Sequence, residues 1–271
     1  MGIADIFCTT SSPSRADRVS WIYCDISDRQ WVFQTFEEIR PNYVFHFAAL
    51  GTKNTQSQYP LWELFKVNTL GTQNLIDAAI STWVCESFLN ISSAYEFGPH
   101  NFPIDESVAF SPEGNYAISK LWGSLYLDDK IHNENFPWIT YRLFSVYWSG
   151  DSGRIIPLIV DAFLTGKELR LFDIYRKRDF VHIDTVISAI LTLDKIQKNN
   201  INSINIWSGE SLDIYELVEK ISRILDLPIP STIIFEASTV PENHWQCDNS
   251  LLKNYIKPIS LSEWLTQVIN N

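Results

Sequence analysis

The 271-residue sequence predicts an α/β fold, a parallel sheet with helices on its faces. Three observations lead there. Short runs rich in β-branched and aromatic residues alternate with segments whose apolar residues recur three and four apart, the mark of strands and amphipathic helices in turn. No internal repeat or low-complexity stretch interrupts that alternation. A composition of 45 % hydrophobic and 14 % aromatic residues with charges of both signs belongs to a chain that buries a core.

In chain order, the strand candidates are "IADIFC" (3–8), "VSWIYC" (19–24), "YVFHFAA" (43–49), "SFLNISS" (87–93), "WITYRLF" (138–144) and "SINIWS" (203–208). Between them, "WVFQTFEEI" (31–39), "LFKVNTLGTQNLIDAAI" (64–80), "YAISKLWGSLYLDDKIH" (116–132) and "IDTVISAILTLDKIQ" (183–197) carry helical spacing. From Gly150 onward the alternation loosens: "IIPLIVDAFLTG", "DIYELVEKISRILDL" and "SLSEWLTQVIN" read as helices among the Pro-containing loops "LPIPST" and "TVPENHW". The expected organisation is a nucleotide-binding part over 1–149, rejoined by 180–207, and a smaller substrate lobe from 150–179 and 208–271.

The net charge of −11 disfavours broad attraction to nucleic acid or anionic lipid. Neither a signal peptide nor a run of about eighteen apolar residues is present, which predicts a cytoplasmic protein with no membrane partner. Cys8, Cys24, Cys85 and Cys247 lie far apart without paired spacing and read as buried thiols, with no metal site.

Chemistry concentrates in "NISSAYEFG" (90–98) and "GNYAISK" (114–120). Tyr116 and Lys120 stand four apart on a predicted helix and share a face. A phenol with a pKa near ~10 is a poor proton carrier at neutral pH, and a neighbouring ammonium makes it a better one. Ser93, ending a strand, supplies a hydroxyl for the substrate oxygen whose proton Tyr116 handles.

With "HFAALGTKNTQSQYPLWELFKVNTLGTQNLIDAA" ahead, and "YRLFSVYWSG" and "RKRDFVHID" behind, this order resembles the extended short-chain dehydrogenase/reductase family, the NAD(P)-dependent nucleotide-sugar epimerases, dehydratases and reductases. The resemblance runs from about residue 4 to the C-terminus and implies a Rossmann-like doubly wound sheet. It implies Ser93, Tyr116 and Lys120 as the catalytic set, with Tyr116 and Lys120 also meeting NAD or NADP. Asp25 and Ile26 would meet the adenine, Phe47, Ala48 and Ala49 the rest of the cofactor, and Asn68 would support the site. Arg178 would grip the nucleotide diphosphate of the sugar substrate; read by residue alone, it is a surface partner for Asp179 or Asp184. Ser93 and Ser145 would lie near the sugar, Ser145 where many members have an Asn.

The family's dehydratases carry an Asp-Glu pair where this chain has Ala94 and Tyr95, which points to 4-ketoreduction or epimerisation instead. Glu96, one position later, is expected at the lip of the site. The competing readings are a cofactor-free binding or regulatory subunit, and an acid-base enzyme without nicotinamide. The family's paired helices, here 60–80 and 115–133, imply a homodimer.

One part of the family pattern is missing. No glycine lies between Gly2 and Gly51, so the strand, glycine-rich turn and helix that receive the pyrophosphate have no counterpart here. The fold is accordingly expected to be truncated at its N-terminal side. Either the true start lies upstream, or "IADIFC" slides into the central place, or a partner chain completes the sheet. Ser11, Ser14 and Arg15 would suit a 2′-phosphate, or form a plain turn.

Overall fold

The computed structural model describes residues 7–10, 20–51, 59–134, 136–151, 153–236, 239–240 and 243–269, so the Ser11, Ser14 and Arg15 reading lies outside the described residues. The chain packs as two units, residues 1–91 with 113–140 and residues 92–112 with 141–271. By this division residues 180–207 group with the later residues.

In the first unit, β1 (Phe7–Thr10) runs parallel to β2 (Ser20–Tyr23), with Phe7 opposite Ser20. Helix α1 (Arg29–Ile39) begins where the Asp28 carboxylate accepts the Trp31 N–H at 3.1 Å and stops at Arg40, which turns left-handed at φ 48°. Next, β3 (Tyr43–His46) pairs parallel with β4 (Ser87–Ser93), Tyr43 opposite Ser87. The intervening helix, predicted over 64–80, forms as α2 (Leu61–Leu64), a π-helical stretch Phe65–Gly71 and α3 (Thr72–Thr82). Helix α4 (Gly114–Glu134) leads to β5 (Trp138–Leu143). Phe36, Ile76, Phe88, Leu127 and Trp138 make this unit's core.

Strand β4 matches its predicted bounds to the residue, and β5 to within one. Of "IADIFC" only Phe7 and Cys8 fall among the described residues. Among the described residues β1 pairs with β2, and β3 ends the row β3-β4-β5; β9 spans Ser203–Ile206.

The second unit contains β6 (Ser145–Tyr147), α5 (Ile155–Thr165), β7 (Leu169–Leu171) and β8 (Arg178–His182). Helices α6 (Ile183–Leu191) and α7 (Leu193–Gln197) replace the single predicted helix, broken at Thr192, whose hydroxyl donates to the Ser188 carbonyl at 2.7 Å. After β9 come β10 (Ser211–Leu212), α8 (Ile214–Leu225), β11 (Ile233–Phe235), α9 (Ser250–Lys253) and α10 (Leu261–Ile269). Here β8 lies between parallel β6 and antiparallel β10, and β7 pairs parallel with β11. That pairing explains why 180–207 groups with the later residues: β8 is the middle strand of a sheet drawn wholly from them. A capping box starts α8, the Asp213 carboxylate taking the Glu216 N–H and the Glu216 carboxylate the Asp213 N–H.

Among the described residues no helix is long and apolar enough to cross a membrane, and no cluster of His, Cys, Asp and Glu is arranged for a metal. Cys24, Cys85 and Cys247 are free thiols, and burial pushes the Cys85 thiol up to about 11.

Candidate active site

Helix α4 opens at Gly114, whose φ of 85° lies in the left-handed region that glycine adopts without strain. Two residues on is Tyr116, and one turn further Lys120; both are buried. The Lys120 ammonium donates to the Ile91 carbonyl of β4 at 2.9 Å, which fixes a cation inside the unit two residues before Ser93 in the chain.

Asn68 is the hub of a second set of bonds. Its carbonyl Oδ1 accepts the Leu50 N–H at 2.7 Å, while its amide donates to the Leu50 carbonyl and to the Ser119 hydroxyl, both at 3.0 Å. Ser119 in turn donates to the Tyr116 carbonyl at 2.8 Å. One side chain thereby ties the loop after β3 to the helix that carries Tyr116 and Lys120. The π-helical widening sits at this residue, where the backbone departs from α geometry. Close approach of α4 is allowed by Gly123, where a Cβ would meet the Asn68 carbonyl at 3.0 Å.

Beneath this lies His46. Its Nε2 is 2.9 Å from the Thr72 hydroxyl, and that hydroxyl already spends its only proton on the Asn68 carbonyl at 2.7 Å. The ring Nε2 therefore carries the hydrogen and donates. Burial, with a smaller contribution from the Lys120 charge, lowers the His46 pKa to about 3, so the ring stays neutral.

The remaining first-unit predictions fall at strand ends. Phe47 and Ala48 are exposed and Ala49 is half-buried, just past the carboxyl end of β3. Asp25 accepts both the N–H and hydroxyl of Ser27, at 2.9 and 2.8 Å. Burial works to raise its pKa, but these bonds and the Lys66 charge outweigh it and hold the carboxyl below its ordinary value. Ile26 is a core residue packed under Gly71, and its carbonyl accepts the Asn74 amide at 3.0 Å.

Ser93, Ser145 and Arg178 belong to the second unit. The Ser93 hydroxyl accepts the Tyr95 N–H at 3.2 Å and caps a 3-10 turn over Ala94–Glu96. Glu96, expected at a lip, is instead fully buried. Its carboxylate accepts the Arg142 Nε at 2.7 Å and the Ser92 hydroxyl, so its charge is matched from inside the unit. Ser145 begins β6 opposite Phe180. Arg178 pairs with Asp173, not with the expected Asp179 or Asp184. Asp179 is buried and accepts from the Ser208 N–H and hydroxyl and the Gly209 N–H, each at 2.8 Å, and from the Cys247 thiol at 2.7 Å. Even so, burial leaves its carboxyl raised above the ordinary value. A surface depression of about 440 Å³, lined by Ser208 and residues 253–258, includes none of the predicted site residues.

Sequence reading missed His46, Ser119, Arg142 and Glu96 as parts of these networks. A charged residue inside an otherwise apolar run, as Arg142 is in "WITYRLF", was the available signal.

Comparison with known proteins adds a separate line of observation. The model of the NAD dependent epimerase/dehydratase family matches residues 4–206. UDP-glucose 4-epimerase of Mycoplasma pneumoniae is 26 % identical over 231 residues, 74 % of this chain and 66 % of that relative. CDP-abequose synthase of Salmonella muenchen is 26 % identical over 265 residues, 90 % of this chain and 84 % of that relative. Among solved structures, UDP-glucose 4-epimerase of Thermotoga maritima superposes with a TM-score of 0.82 at 20 % identity, covering 98 % of this chain and 90 % of that one; at this identity the likeness is one of Rossmann-like fold.

Proposed function

The chain belongs to the NAD dependent epimerase/dehydratase family, and from that premise we propose that it acts on a nucleotide-linked sugar, reducing a 4-keto group or epimerising through one. The observation that carries the reading is the buried Lys120 ammonium, held by the Ile91 carbonyl one helical turn from Tyr116. Tyr116 is the general acid/base whose phenol gives and takes the proton of the sugar oxygen. Lys120 favours its ionised form, and Ser93 hydrogen-bonds that oxygen. Arg178 and Ser145 are assigned to the nucleotide-sugar. Residues 1–149 with 180–207 are assigned to the cofactor, and 150–179 with 208–271 to the substrate.

NAD or NADP supplies the hydride acceptor and donor of this chemistry when bound. Three features of the first unit fit it: the exposed residues Phe47 and Ala48 beyond a parallel strand, a loop braced by Asn68, and the Asp25 carboxylate just past β2. Phe47, Ala48 and Ala49 would lie along the cofactor, Asp25 and Ile26 at its adenine, and Tyr116 and Lys120 at its nicotinamide ribose. The second reading is a cofactor-free relative that binds the sugar or does acid-base chemistry alone.

Titration with NAD(H) and NADP(H), followed by turnover of UDP-glucose and of a nucleotide-linked 4-keto sugar, separates the two. Saturable dinucleotide binding with turnover that Tyr116→Phe abolishes supports the first reading. Turnover without dinucleotide supports the second. A homodimer is also proposed, through the exposed apolar residues Leu61, Trp62, Leu70, Trp122 and Leu125 on the helices 61–71 and 114–134; light scattering that gives the monomer mass alone overturns it.

A further inference from the structure

We propose that Glu96, clamped by Arg142 and Ser92, is a positioning residue for the Ser93 hydroxyl; this rests on the reading of Ser93 as the group that meets the substrate oxygen. The clamp lies wholly in the second unit. One carboxylate oxygen takes the Ser92 hydroxyl and the other takes the Arg142 Nε at 2.7 Å, while the Glu96 carbonyl accepts the Ser111 N–H at 3.1 Å. The Arg142 guanidinium lies over the Phe97 and Phe110 rings, 5.2 and 4.9 Å from their centroids, contacts that favour this position.

Both charges are buried, and a buried ion pair is a weak source of stability because desolvation offsets its attraction; apolar pairs of similar volume serve as well or better. What an apolar pair cannot supply is direction. Ser92 and Ser93 are consecutive on β4 and point to opposite faces, so holding Ser92 from one side fixes the backbone that aims Ser93 to the other. Glu96 also ends the 3-10 turn whose Tyr95 N–H occupies a lone pair of Ser93 Oγ. That bond fixes where Ser93 Oγ sits, leaving its proton and its second lone pair for the substrate, and the clamp holds the turn that makes the bond.

The test uses the full-length chain with its dinucleotide and the sugar that it turns over. Three variants are compared with wild type: Glu96→Gln, Ser92→Ala, and Glu96→Val combined with Arg142→Met. The expected result is a kcat lower by about ten-fold or more in Glu96→Gln and in the double variant, with sugar KM and dinucleotide Kd within about three-fold, the pattern of an interaction made in the transition state. Ser92→Ala, which leaves the ion pair intact, is expected to lower kcat by about three-fold or more, with a lower thermal midpoint from the hydrogen bond to Glu96 that it removes.

If the pair is only structural, the double apolar variant restores kcat together with stability, and Ser92→Ala keeps wild-type kcat; either result overturns the proposal. Should Glu96→Gln fail to fold, the other two variants still decide. A wild-type chain without turnover removes the functional reading and this inference together, whereas wild-type turnover with unchanged variants removes the inference alone.

Discussion

Strands β3 and β4 lie side by side in parallel register, Tyr43 opposite Ser87 through His46 opposite Asn90, yet they meet their surroundings in opposite ways. In β4, Phe88 and Leu89 are fully buried and so are Asn90, Ser92 and Ser93. In β3, the aromatic residues are the exposed ones: Tyr43 and Phe45 each keep 44 % of their surface in water. The more polar strand is the more buried. Position in the sheet accounts for this: among the described residues β4 has a neighbour on each side and β3 ends the row. Most of these polar side chains are hydrogen-bonded inside β4, although among the described residues Ser87 Oγ and Asn90 Oδ1 are left without a partner. Asn90 donates to Ser124 and Thr140, Ser92 donates to Glu96, and Ser93 accepts from Tyr95.

The largest effect that tests this contrast is the truncation of matched phenylalanines. Phe88→Ala removes a ring packed against Phe136 and His46 and is expected to cost about 3–5 kcal/mol in denaturant unfolding. Phe45→Ala is expected to cost less than about 1 kcal/mol, as an exposed site should. Equal losses would erase the distinction between the two strands.

Next in size is the loop that follows β3. Asn68→Ala orphans the Leu50 N–H and carbonyl and removes the amide that bonds Ser119. At about 1–3 kcal/mol for each buried group left unpaired, a total loss of about 2–4 kcal/mol is expected. Because Ser119 also braces the backbone at Tyr116, dinucleotide affinity should fall with it. Unchanged stability would show that the loop holds itself without the π-helical residue.

His46, the one buried residue of β3, sharpens the comparison through pH. Its folded pKa is depressed to about 3 from an ordinary 6.5, so below pH 6.5 the unfolded chain takes up a proton that the folded chain refuses. This contribution is fully present above about pH 6.5 and is lost as pH falls toward 3, at up to ~1.4 kcal/mol per pH unit. Between pH 6.5 and 5 the wild type should lose roughly 2 kcal/mol more than His46→Gln. Parallel stability curves for the two proteins would remove the buried, neutral imidazole from the account.

How far the sequence carried the fold follows the same physics. Strand β4 was legible to the residue because its apolar run follows the charged Glu86 and closes on the Ser92–Ser93 pair, and Tyr116 and Lys120 because four-residue spacing on a helix needs no tertiary information. The π-helical turn at Asn68 was not, since its composition matches that of the α-helix on either side. Glu96 was misplaced at a lip because its partner Arg142 stands 46 residues away, in a strand that reads as apolar. Nor does "YVFHFAA" announce which of its faces lacks a neighbour, because an edge and an interior strand draw on the same residue types.

The smallest predicted effect asks whether the β3 edge is as open as its exposure says. Phe45 stands opposite Leu89 in register, but much of its ring faces water. Phe45→Lys keeps a long apolar stem along the strand and sends the ammonium to solvent, so stability should change by no more than about 0.5 kcal/mol. Self-association should fall more visibly, because a charge on an edge strand opposes pairing with another chain. Denaturant midpoints and the concentration at which light scattering rises read the two effects separately. A stability loss above about 1.5 kcal/mol would mean that Phe45 is covered in solution, and β3 would then resemble β4 after all.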